Sequence, residues 1–190
     1  MFDEDNLDGT FRETEGTGPF RDIRFEACTF DNCSFSNAVF ENVSFIDCRF
    51  VDSDLSMASV EQSTFNGVQF ERCRLRGIDW TRINASILDW NLHQCVLDYG
   101  NFEDLKLVKT QFTQCSILEA SFDRADLRES KFGGSKLTRS TFAGSDLRKA
   151  DFRDSVDLAL DLRDCRCAGL RLRVNDAVGT LTAHGIKVSA

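Results

Sequence analysis

The sequence predicts a repeat solenoid, a rod whose backbone turns every five residues, and three observations carry that reading. Phe20, Phe25, Phe30, Phe35, Phe40, Phe45 and Phe50 recur at a strict spacing of five. A period of 3.6 would scatter these rings around a helix, and a period of two would alternate them across a sheet, so five is an architectural period. The column then continues through Leu55, Val60, Phe65, Phe70, Leu75 and Trp80 with no polar interruption. Thirdly, the residue two before each member is small or apolar, as in Ile23, Cys28, Cys33, Ala38, Val43 and Cys48, while the remaining positions are mostly polar. One large and one small inward residue in every five describe a chain folding back on itself around a narrow core.

Composition narrows the function classes. With 190 residues and 42% hydrophobic content, the chain supports one elongated domain. A formal charge of −8 disfavours direct binding to nucleic acid or anionic lipid and favours a cationic protein partner. The acidic opening MFDEDNLDGT contains no apolar run, so it reads as neither a secretory signal nor a membrane span, and a cytoplasmic protein with no membrane contact is expected.

Taken in order, residues 1–19 fall outside the repeat, and Gly9, Gly16, Gly18 and Pro19 mark them as an irregular N-terminal cap over the first exposed layer. The repeat proper spans 20–174. After Trp80 its register moves: the column resumes at Ile87, Leu92, Leu97 and Phe102, which places about two extra residues in Thr81–Ser86, at Thr81, Arg82, Ile83 and Asn84, as a bulge or small loop. From Phe102 to Phe152 the column alternates Phe with Leu or Ile, so four pentapeptides per coil would put Phe on two opposite sides. At Asp157 a carboxylate occupies the column, a costly inward placement that predicts a distorted last coil. Beyond Val174, Asn175 reads as a helix N-cap, Asp176 suits the positive end of the dipole and Gly185 is a stop, with Ile186 and Val188 as a short strand.

Chemical sites are poorly supported. Seven of the eight cysteines fall two residues before a column position and Cys167 on it, where they act as small core residues, and no Cys-x-x-Cys pair suggests zinc. His93 is outward and His184 lies near the helix end, neither beside a nucleophile or carboxylate at an informative spacing. Asp126-Leu127-Arg128 and Asp146-Leu147-Arg148 read as stacked surface ion pairs. No enzyme activity, cofactor or metal is expected.

The units CTFDN, CSFSN, ADLRE, SDLRK and ADFRD resemble those of the pentapeptide repeat proteins. That resemblance implies an all-β solenoid, a right-handed quadrilateral β-helix with four pentapeptides per coil, followed here by a short C-terminal helix. RFEACTF, FVDSDLSMASV and QFERCRLRGIDW look most similar to the subgroup that protects DNA gyrase from inhibitors, the albicidin-resistance, MfpA and Qnr proteins. By resemblance, the chain would be a homodimer joined through its C-terminal segment, with Leu172, Val174, Val178, Leu181, Ile186 and Val188 as the dimerisation residues. It would bind DNA gyrase, a type II topoisomerase, as an acidic mimic of duplex DNA and confer albicidin- or quinolone-type resistance. The alternative is a scaffold rod binding an unrelated protein.

With four faces, the charges can be assigned. The face of Phe20, Phe40, Val60, Trp80, Phe102, Phe122, Phe142 and Leu162 carries nine acids against Arg21, Arg82, Arg124 and Arg163, a net of −5, whereas the other three are +1, +1 and 0. Asp22, Glu41, Glu61, Asp79, Glu103, Asp104 and Asp123 on that face are the candidate partner-binding residues. Residues 131–174 instead carry ten bases and six acids, so full DNA mimicry is not expected toward that end.

Overall fold

A computed structural model describes residues 5–85, 88–183, 185 and 187. The chain is a parallel four-sided β-solenoid followed by one helix, Val174–Ala183. Short strands and single bridges stack directly above one another. Phe25 pairs with Phe45 and Phe45 with Phe65 on one side, and Phe30 pairs with Phe50 and Phe50 with Phe70 on the next. Each coil bonds to both neighbours: Ser44 N–H donates to Ile23 O at 2.8 Å, and Phe40 N–H to Ser59 O at 2.8 Å.

The column fills the interior. Rings on one side stack, as in Phe102–Phe122 at 4.7 Å and Phe132–Phe152 at 4.4 Å, and meet the rings of the opposite side edge-on, as in Phe112–Phe122 at 5.6 Å and 84°. This is the pairing of opposite Phe faces expected from the ten-residue alternation, and it gives the rings their favoured offset and T-shaped contacts. Corners are made by the residue two beyond each column member. Asp22, Asn32, Asn37, Asn42, Asp47 and Asp52 all have φ between 50° and 58° there. Asn and Asp tolerate this left-handed conformation better than other non-glycine residues.

The position two before the column is more than a small slot. Several of the Cys and Ser side chains there donate to the carbonyl of a column residue one coil below, Ser135 Oγ to Phe112 O at 2.8 Å, Cys48 Sγ to Phe25 O at 3.4 Å and Cys95 Sγ to Phe70 O at 3.4 Å, while Ser130, Ser145 and Ser155 donate to the column residue of their own coil. Buried carbonyls left over by the ladder thereby gain a partner.

Three expectations are corrected. Residues 5–18 are not irregular in backbone: Asn6 pairs with Phe25, Phe11 with Phe30 and Glu15 with Ser34, making a first coil one residue shorter than the next. Phe11 stacks on Phe30 at 5.1 Å, while Asn6 and Gly16 take the column positions next to Phe25 and Phe35. Asp157 does not point inward. At φ 55° it turns out to accept from Thr138 Oγ1 at 2.9 Å and to lie 3.6 Å from Lys136 Nζ, and Leu160 is buried instead. Asn175 is not the helix N-cap either, because the helix already begins at Val174. Arg173, immediately before it, is anchored to the rod by a hydrogen bond to Ser155 O. Gly185 follows the helix at φ 76°, as a stop should. Ser86, Ile87, His184, Ile186 and Val188 lie outside the described residues.

Candidate protein-binding surface

The acids singled out in the sequence lie along one side of the rod. Phe20 pairs with Phe40 and Val39 with Ser59, and above the break Asp79, Asn101, Ser121 and Thr141 form one ladder. Arginines answer several of them: Arg21 Nε reaches Glu41 at 2.6 Å, and Arg124 spans Glu103 at 2.8 Å and Asp104 at 3.0 Å. Hydrogen bonds to Asp104 and Glu103 push the Arg124 guanidinium further up. Asp22 accepts from Asn42 Nδ2 at 2.7 Å and Asp123 from Ala143 N–H at 2.8 Å. The Glu61 backbone carbonyl accepts from Asn42 N–H at 2.9 Å, but its carboxylate makes no ion pair or hydrogen bond among the described residues. Exposed pairs of this kind contribute little and rearrange at small cost, so they leave the face open to a more strongly cationic partner.

At the register break, Trp80–Arg82 form a 3-10 turn capped by Asp79, which accepts from Thr81 N–H at 3.2 Å and Thr81 Oγ1 at 2.6 Å and pairs with Arg82 Nε at 3.2 Å. Thr81, Arg82 and Asn84 are exposed, while Ile83 is buried. The turn remains tied to the coil below: Gln62 N–H donates to Arg82 O and Asn84 N–H to Ser63 O, both at 2.8 Å. The two extra residues are taken up before Leu92, which pairs with Phe70 where a regular coil would offer residue 90. The indole of Trp90 turns inward and donates to Phe65 O at 2.6 Å, the bond made elsewhere by Cys or Ser.

Among the described residues no bridge joins Ser59 to Asp79. In its place the face opens into a groove of about 410 Å³ lined by Met57, Ser59, Val60, Glu61, Asp79 and Arg82, with Gly77 at its edge. Two separate sequence arguments, the acidic stripe and the register break, thus meet at one place. Sequence reasoning missed Met57 and Gly77. The available signal was that Met57 stands at a corner position otherwise rich in Asn, Asp and Gly.

The other candidate residues lie at the far end. Val174, Val178 and Leu181 are 78%, 37% and 38% exposed and share one stripe of the helix. Leu172 is instead half-buried against the last coil. The helix covers the distorted segment, with a cavity of about 650 Å³ between them lined by Leu158, Leu160, Asp161, Arg163, Asp176 and Thr180.

The chemistry of the remaining side chains is that of a filled rod. Burial pushes the Cys48 thiol up to about 12, and the neighbouring thiol of Cys115 pushes Cys95 up to about 12 as well. Among the described residues no group of His, Cys, Asp and Glu is arranged to hold a metal ion. His93 Nδ1 lies 3.1 Å from Thr113 Oγ1. Arg128 and Arg148 each hold the carboxylate two residues earlier at 2.6 Å, and Arg128 and Arg166 flank Asp146 at 4.0 Å, confirming the stacked ion pairs. Among the described residues no helix is long and apolar enough to cross a membrane.

No curated protein matches the sequence significantly. Among solved structures, full-length QnrB1, a plasmid-mediated fluoroquinolone resistance protein, matches with a TM-score of 0.52 at 20% identity, over 96% of this chain and 100% of its own. A trypsin-treated variant of QnrB1 matches with a TM-score of 0.52 at 22% identity, over 97% of this chain and 100% of its own. These likenesses show a shared fold. Two family models, described as a pentapeptide repeat region and as pentapeptide repeats, match residues 23–102 and 120–156, together more than half of the sequence. With the five-residue column, the left-handed corners and the four-sided parallel ladder, these matches establish that the chain belongs to the pentapeptide repeat proteins.

Proposed function

We propose that this protein is a non-enzymatic, cytoplasmic binding partner of DNA gyrase that protects the topoisomerase from an albicidin- or quinolone-type inhibitor. The observation that carries the reading is the acidic side of the rod, net −5, which opens at Glu61, Asp79 and Arg82 into a groove. Carboxylates stepped along a rigid rod suit the basic surface on which gyrase holds duplex DNA, and steer association toward it. The sequence resemblance to the gyrase-protecting subgroup and the shared fold with QnrB1 support the same reading. Asp22, Glu41, Glu61, Asp79, Glu103, Asp104 and Asp123 form the acidic contact, and residues 131–174, with ten bases and six acids, contribute less to it.

The protein works as a homodimer, joined where Val174, Val178 and Leu181 leave an apolar stripe on the helix. The test adds the purified chain to gyrase supercoiling and cleavage assays with and without albicidin or a fluoroquinolone. Restored supercoiling in the presence of inhibitor is expected, and charge reversal at Glu41, Glu61, Glu103 and Asp104 should abolish the relief. No relief, together with no binding at about micromolar concentration, would leave a scaffold rod with another partner.

A further inference from the structure

On the side adjoining the acidic one, three consecutive coils place Met57, Gly77 and Tyr99 at the corner, in line with the bridges Asp54–Arg74 and Arg74–Val96. Corner residues elsewhere are mostly polar, yet Met57 is 59% and Tyr99 43% exposed. Gly77 separates them at φ 69°, and a Cβ there would lie 2.3 Å from Met57 Sδ, so the thioether lies across the glycine. The result is a groove of about 820 Å³ lined by Ser56, Met57, Arg76, Gly77, Val96 and Tyr99. Scattered exposed apolar residues are ordinary; a thioether and an aromatic ring flanking one glycine-floored groove are not scattered.

The charges beside this groove differ in one respect. Arg74 is held by Asp54 at 2.9 Å, as the outward Arg72, Arg124, Arg128 and Arg148 are held by their own carboxylates. Arg76 instead lies over the Tyr99 ring, 4.8 Å from its centroid, and pairs with no carboxylate among the described residues. A flexible thioether, an aromatic ring and an arginine with an unused fork are the residue types from which binding hot spots are built. Met57 and Gly77 also line the groove of Glu61, Asp79 and Arg82, so the two grooves are continuous.

We infer that this corner is a second contact for the protein partner, occupied by a peptide segment of that partner carrying an apolar side chain next to a carboxylate. The apolar group lies against Met57 and Tyr99, and the carboxylate takes the free edge of the Arg76 guanidinium. The interface then wraps one edge of the rod, acidic on one side and apolar with a positive charge on the other, which fixes the partner's rotation about the rod axis. The inference rests on the gyrase reading above for the identity of the partner.

The test measures binding of the full chain to reconstituted gyrase by biolayer interferometry. It compares the unaltered protein, the double variant Met57→Ala and Tyr99→Ala, the single variant Arg76→Glu, and Lys131→Ala as a control on another side. The double variant and Arg76→Glu should each weaken binding about tenfold or more. Lys131→Ala should leave it unchanged, and all variants should keep their melting temperature because the altered side chains are exposed. A double variant that binds as well as the unaltered protein overturns the corner contact while leaving the gyrase reading in place. Undiminished binding by Arg76→Glu overturns the acidic occupant. Absence of binding by the unaltered protein overturns the gyrase reading and this inference with it.

Discussion

Above its shortened first coil the rod departs from its regular step at two places, and the two behave differently. At 80–90 two residues are added, and every ladder described on the flanking sides closes again: Phe70 pairs with Leu92, Asp79 with Asn101 and Arg74 with Val96. Trp80 and Trp90, 0% and 2% exposed, fill the widened interior with rings 4.9 Å apart. At 157–164 a carboxylate falls on the column, the segment swings out, and Leu162 and Cys165 are only partly buried. The first departure is repaired by packing. The second is spanned by the bridges of Asp146 with Arg166 and Asp151 with Arg171, to which the arginine side chains add contacts at 4.0 Å and 3.7 Å, and is covered by the helix laid across it. An insertion is tolerated where apolar volume replaces what the ladder loses; where a charge falls on the column, one side of the coil swings outward and the ladder closes again only on the sides that follow, Asp146 with Arg166 and Asp151 with Arg171.

The largest test of this contrast is Trp90→Ala, which removes a buried ring and the donor to Phe65 O. It should cost about 3–5 kcal/mol in a urea unfolding curve, with loss of a single cooperative transition. Leu160→Ala at the second departure should cost less, about 2 kcal/mol, because the segment is free to collapse. Hydrogen exchange should then speed up in Val174–Ala183 while the amides below Phe152 stay protected. If the two substitutions cost the same, the distinction between a packed and an outward-swung break fails.

The smallest effect expected is on acid stability. Arg148 holds the Asp146 carboxyl, and Arg153 the Asp151 carboxyl, below their ordinary range. A depressed folded value means that the stabilisation is full above about pH 4 and is lost as pH falls through the folded values. Limited proteolysis across that window should nick the chain near 157–164 before it nicks 81–89. Equal susceptibility would show that the ion pairs add nothing at the second break.

The interior was legible because it is set by local identity: each of Phe20 to Trp80 announces itself, and so do the Cys and Ser two residues before. The first coil was hidden since its column holds Asn6 and Gly16 where the next coil holds Phe25 and Phe35. The corners at Asp22, Asn32 and Asn42 left a readable trace, an excess of Asn and Asp at one position in five, whose meaning depends on φ. The groove could not be read at all. Glu61 and Asp79 are eighteen residues apart, and their convergence depends on a bridge that fails to form between Ser59 and Asp79.

The inward thiols have a kinetic consequence. A labelling reagent needs the thiolate, and at neutral pH Cys48 and Cys95 supply almost none while their coils are closed. Cys33, Cys48, Cys73 and Cys95 are buried in successive coils along the axis. Each can therefore be modified only when its own coil opens. Single-cysteine versions of the chain would time-stamp the opening at every height, so that the order in which the rod unwinds can be recorded by the rate at which its thiols disappear.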